Sequence, residues 1–200
     1  MNGIKRLFVR HVESNLVKYI IATMVFCVGV VLGVLAAMGG KHTQTVTEEV
    51  KNLCAAVTEA GFDSTEILKT SFLKNLRNIF LVFVGGFSVW LLPISFAVLF
   101  IIGFSQGFTV CCMTSGFGVS GFGMAFSSVF PSLVLIVPVT VVMSVMAVNQ
   151  AVKRRYKHID GGDNLAYVLC FMILFLVTTP VILADAFAVP EIIRQICAGL

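Results

Sequence analysis

The sequence predicts an all-α, polytopic integral membrane protein with about five transmembrane helices and a short extracytoplasmic helical hairpin after the first. Three observations predict it. Residues 78–152 form a run of 75 positions without a single Asp, Glu, Lys, Arg or His. The 200-residue chain is 58% hydrophobic and 12% charged, with a mean hydropathy of +0.99. Its apolar runs, such as Leu133–Val142, do not alternate in polarity as the strands of a membrane barrel must.

A soluble domain cannot keep so long a run uncharged, because its outer faces would bind each other. A bilayer requires it: a charge at mid-membrane costs about 2.5–3.5 kcal/mol even on the lenient insertion scale. Backbone polar groups in lipid must be satisfied within the chain, so spans are helices or closed barrels. One helical crossing takes roughly 20 residues, so 78–152 has room for three.

Residues 1–18 form a basic segment with Lys5, Arg6, Arg10 and Lys18 against one acid, Glu13. The first span follows at 19–40. It is longer than the apolar core of about 7–15 residues expected of a cleaved signal peptide, so it reads as a retained helix. Gly29 and Gly33 stand four apart on it, a spacing that lets a second helix approach closely.

Residues 41–71 are the polar segment, assigned to the outside. Thr45-Val46-Thr47-Glu48 fits a capping box, and Val46, Val50, Leu53 and Val57 recur on one helical face. Gly61 is a stop, and Asp63-Ser64-Thr65-Glu66 is a second cap that opens a helix through Ile67, Leu68 and Phe72 into the next span. The second span is read at 72–92, its turn set by Pro93, which has no N–H and disfavours helix at the residue before it. The third, 93–113, carries another small pair, Gly103 and Gly107. Four glycines within 114–123 read as a turn. The fourth span, 124–150, is interrupted by Pro131 and Pro138, which should kink it or make its first part re-entrant. A basic loop at 153–163 holds Lys153, Arg154, Arg155 and Lys157, the fifth span runs 164–186, and 187–200 is a tail.

The two dense basic clusters place the N-terminus and the 153–163 loop in the cytoplasm. An odd number of crossings must then separate residue 41 from Lys153, and three is the number that 75 apolar residues can fill. The tail is thereby assigned to the outside. The same clusters account for the net charge of +4 without nucleic acid.

No catalytic, cofactor or metal set emerges. Gly116-Phe117-Gly118-Val119-Ser120-Gly121 matches GxGxxG, yet a dinucleotide site needs a strand before it, a helix after it and an acid about 20 residues on. Asp160 is the next acid. His11, His42 and His158 lie far apart, and the six cysteines include no CxxC, so they read as small apolar packing residues. A nucleophile in the uncharged core lacks a base. The polar candidates near or within the spans are neutral, Asn75, Gln106 and Asn149, and read as ties between helices. The reading is a non-enzyme whose first partner is the lipid bilayer. A permease or channel subunit for a small solute is the alternative, since proline-broken helices and Gln106 suit a neutral pore.

The order of elements resembles stage II sporulation protein M of endospore-forming Firmicutes over nearly the whole chain. The local marks are Ser71-Phe72-Leu73-Lys74-Asn75, then Gly85, Leu92-Pro93, and Gly107-Phe108-Thr109. Two prolines seven apart, Pro131 and Pro138, complete them. The family often follows the first proline with a polar residue and then Asn; here Ser132 fills the polar position and Leu133 replaces the Asn. Candidate partner-binding or helix-packing residues are therefore Phe72, Asn75, Gly85, Pro93, Gly107, Pro131, Ser132 and Pro138. The resemblance implies a membrane scaffold in the mother-cell septal and engulfing membrane. It implies as partners the wall-degrading stage II sporulation proteins D and P, in peptidoglycan remodelling during forespore engulfment.

Overall fold

Hydrogen bonding inside each segment lets a chain shed water, and the computed structural model follows that rule throughout residues 13–39, 64–156 and 164–180, which it describes. Among these no strand occurs. α1 is Leu16–Gly39 and α2 is Ser64–Gly85. A 3-10 turn, Val89–Leu91, leads into α3, Leu92–Pro131. A π-helical turn, Ser132–Ile136, separates it from α4, Val137–Tyr156. α5 is Asn164–Pro180. Among the described residues, three stretches are long and apolar enough to cross a membrane: Leu16–Gly39, Val89–Gly116 and Leu133–Tyr156.

α1 shows why its sequence suits lipid. Its buried positions are Ala22, Phe26, Gly29, Gly33 and Ala37, one narrow stripe of mostly small residues. Large apolar side chains such as Val17, Ile21, Met24, Val28, Val31 and Leu35 stand exposed around the rest. In water that surface would aggregate; against acyl chains it is at rest, and association depends on close packing of the small stripe.

The stripe meets α3. A Cβ on Gly29 would collide with the carbonyl oxygen of Phe100, and one on Gly33 with that of Phe104. From the other side, a Cβ on Gly103 would strike the carbonyl of Phe26, and one on Gly107 that of Val30. The two glycine pairs noted in the sequence thus interlock. Residue numbers rise together along both helices, so α1 and α3 run parallel.

α4 is the hub. Nine of its residues are buried: Val139, Thr140, Val141, Met143, Ser144, Val145, Ala147, Gln150 and Ala151. On one side Val141 and Val145 pack with Ala22 of α1 and Leu99 of α3. On the other, Val139, Met143 and Ala147 pack with Val82 of α2, Val98 of α3, and Tyr167 and Phe171 of α5.

Several boundaries differ from the sequence reading. α2 opens at Ser64, within the expected second cap, and ends at Gly85. The turn placed at Leu92-Pro93 therefore sits at 86–88, where the N–H groups of Gly86 and Phe87 donate to Phe83 and Val84 at 3.1 Å each. Ser88 then caps the 3-10 turn with its hydroxyl. Pro93 is the second residue of α3, where a missing N–H leaves no helical bond unmade. A proline marks helix ends and helix starts alike, and here it marks a start.

The expected turn at 114–123 stays helical except at one residue, Gly118, with φ 58° and ψ −129°. Glycine permits a turn without requiring one, and here the helix continues on both sides of Gly118 and bends once. The fourth span divides where its prolines stand: 119–131 ends α3, and the π-helical turn lies between Pro131 and Pro138. Pro138 cannot donate to the carbonyl four residues back, and the wider turn accommodates its ring. The predicted 45–57 helix, residues 1–12, Lys157 with the rest of its loop, and the tail lie outside the described residues.

Candidate functional site

Polar side chains gather at one end of the bundle. The start of α1 brings Asn15 and Lys18, the end of α4 brings Asn149, Gln150, Lys153 and Arg154, and the start of α5 brings Asn164 and Tyr167, beside Phe83 in the last turn of α2 and Phe87 in the turn after it. Each lies within about two turns of a helix end, where apolar sequence gives way to polar.

The connections run across helices. The Lys18 ammonium donates to the amide oxygens of Asn15, at 2.9 Å, and of Asn149. The Oδ1 atom of Asn164 accepts from Gln150 Nε2 at 3.1 Å and from an Arg154 guanidinium nitrogen at 2.6 Å. The same guanidinium lies 4.7 Å from the centre of the Phe87 ring, within cation–π range. The Tyr167 hydroxyl donates to the Phe83 carbonyl at 3.0 Å, and its ring stacks on that of Phe83 at 5.3 Å. Gly86 makes room for Tyr167: a Cβ there would overlap the phenol and lie 3.3 Å from Cα of Ala147. α1, α2, α4 and α5 are thereby tied by charge-assisted or neutral hydrogen bonds, and the α2–α3 turn by the cation–π contact. Among the described residues Lys18 and Arg154 meet only neutral acceptors.

Between α1, α4 and α5 these residues enclose an open groove of about 490 Å³. Its polar wall is Asn15, Lys18, Asn149, Gln150, Lys153 and Tyr167; Met146, Val152, Ala166 and Cys170 form its apolar wall. Among the described residues no acid lines it.

The eight residues marked in the sequence do not share one site. Phe72 is exposed on α2 and meets Phe175 of α5 edge to face at 5.8 Å. Asn75 is buried on α2. Gly85, the last residue of α2, faces Ser95 and the Leu91 carbonyl across the turn; the Ser95 hydroxyl donates to the Val82 carbonyl at 3.3 Å. Pro93 opens α3, and Gly107 belongs to the α1–α3 seam. Pro131, Ser132 and Pro138 frame the π-helical turn. All but Phe72 and Asn75 stand at a helix junction or in the glycine seam.

Sequence reasoning misses most of the polar joint. Asn149, expected to tie helices, does so. Lys18 and Arg154 read only as orientation charges, and Asn164 and Tyr167 carry no signal beyond their place at the head of an apolar run. The GxGxxG match falls on the α3 kink, with helix on both sides, so it lacks the strand–turn–helix setting that a dinucleotide needs. Among the described residues no group of three or more His, Cys, Asp and Glu could hold a metal ion.

A family model, that of stage II sporulation protein M, matches residues 22–187. No curated protein and no solved structure matches the chain.

Proposed function

We infer the role of this chain from its kinship: it belongs to the stage II sporulation protein M family, which makes it a sporulation-related membrane protein. Within that class it is a non-enzymatic scaffold of five spans with a cytoplasmic N-terminus. It anchors and localises peptidoglycan hydrolases, of the kind of stage II sporulation proteins D and P, in the mother-cell septal membrane during engulfment.

One observation carries the reading. Polar groups at one end of the bundle, with Ser95, bind helix to helix: Lys18 to Asn149, Gln150 and Arg154 to Asn164, Tyr167 to Phe83, and Ser95 to Val82. Such a framework suits holding other proteins in place. The five-span topology draws support from the parallel seam and from the shared end. Parallel α1 and α3 require a return between them, which α2 supplies, and the starts of α1 and α5, the end of α4 and the α2–α3 turn meet together.

Co-purification from sporulating cells tests the scaffold. Wall hydrolases should accompany the tagged protein, and septal thinning should stop in a deletion strain. Absence of both results overturns the proposal.

A permease or channel subunit is the second reading. The Gln106 side-chain amide oxygen and the Ser144 hydroxyl, both in the spans, are buried without a hydrogen-bond partner among the described residues. Solute flux through proteoliposomes, lost on Gln106→Leu, would favour it over the scaffold.

A further inference from the structure

We propose that the groove between α1, α4 and α5 is a binding site for the phosphate headgroup of an anionic phospholipid. The inference is independent of the scaffold reading and concerns a different ligand.

The first observation is charge. Lys18 and Lys153 both line the groove, and no acid among the described residues does. Lys18 holds its charge on neutral amide oxygens alone among the described residues. An ammonium has three N–H donors, and Lys18 directs two at Asn15 and Asn149. That leaves the ammonium one N–H beyond those two bonds, and a phosphate oxygen is a strong acceptor for it.

The second observation is shape. A groove for a free anion needs only the cations. This one continues along Met146, Val152, Ala166 and Cys170, an apolar wall that fits a glycerol backbone and the start of acyl chains. Leu165 and Leu169, beside Ala166 on α5, are exposed and belong in lipid. A basic pocket between spans at a membrane interface is the arrangement that holds phospholipid headgroups.

The test uses the full-length protein in phosphatidylcholine liposomes with spin-labelled phosphatidylglycerol or spin-labelled phosphatidylcholine as probes. The restricted lipid fraction should favour phosphatidylglycerol. Lys153→Gln, on the exposed rim, should cut that preference about fivefold, the share one near-surface lysine confers. Lys18→Gln should reduce it further, and Lys18→Arg should retain it. Equal restriction of both lipids, or an unchanged preference in Lys153→Gln and Lys18→Gln alike, overturns the proposal. Displacement by millimolar glycerol phosphate as effective as that by added phosphatidylglycerol would also overturn it, since the ligand would then be a free phosphate ester.

Discussion

Gly33 of α1 lies against the backbone carbonyl of Phe104 of α3 so closely that no side-chain atom fits between them. The same contact recurs one turn earlier, between Gly29 and Phe100, and in reverse from Gly103 and Gly107. Backbones at this separation bring Cα–H groups onto carbonyl oxygens, weak bonds that recur at helix interfaces. With lipid as apolar as leucine, such close packing is what holds α1 to the bundle.

Gly33→Val should therefore loosen the seam. Overpacking costs about 1–3 kcal/mol, and here the obstacle is backbone, which cannot step aside. Thermal unfolding in detergent should fall by several degrees. Gly39→Val is the control, because no described residue lies within 4 Å of a Cβ there.

The Lys18–Asn149 pair should behave as one unit. Asn149→Leu leaves a half-buried ammonium without one of its acceptors, a loss of about 1–3 kcal/mol. Lys18→Met in the same background should cost less than Lys18→Met alone. A double-mutant cycle read by denaturation should give a coupling above about 0.5 kcal/mol, the lower bound for residues in contact. Simple additivity would mean the bond contributes nothing.

Tyr167 and Gly86 give a steric test. Tyr167→Phe removes the bond to the Phe83 carbonyl and should cost about 0.5–1.5 kcal/mol. Gly86→Ala should be worse, since its methyl would overlap the phenol. Pairing Gly86→Ala with Tyr167→Ala should recover part of the loss in melting temperature.

At the α3 kink the expected penalty is conformational. Gly118 has φ 58°, and a Cβ added there would meet nothing within 4 Å. Gly118→Ala should lose about 1–3 kcal/mol, the cost of a sparsely populated backbone region, and Gly118→Asn should lose as much, because ψ of −129° lies outside the left-handed helical well that Asn tolerates. Equal unfolding temperatures for all three would show that the bend straightens without cost.

Much of the architecture is readable from residue types. The uncharged run from Asn78 to Val152 announces lipid, the second cap places the opening of α2, and Pro131 and Pro138 mark where the fourth span breaks. The glycine pairs announce close approach, but nothing local says that 29 and 33 choose 103 and 107. Glycines 114–123 mislead because glycine allows a turn without requiring one, and only Gly118 leaves the helical conformation. The polar joint stays hidden for a different reason. Lys18 and Asn149 are 131 positions apart, and Phe83 and Tyr167 are 84 apart. A lone Asn or Tyr at the edge of an apolar segment looks the same whether it faces a headgroup or a neighbouring helix.

The parallel course of α1 and α3 has a bearing on how the protein is made. Their contacting residues are more than seventy positions apart, and synthesis proceeds from the N-terminus. α1 must enter the bilayer with acyl chains lying along its glycine groove, and those chains must leave when α3 arrives. Until then the first helix is a lone rod free to diffuse, and assembly of the bundle begins only after the third has been threaded.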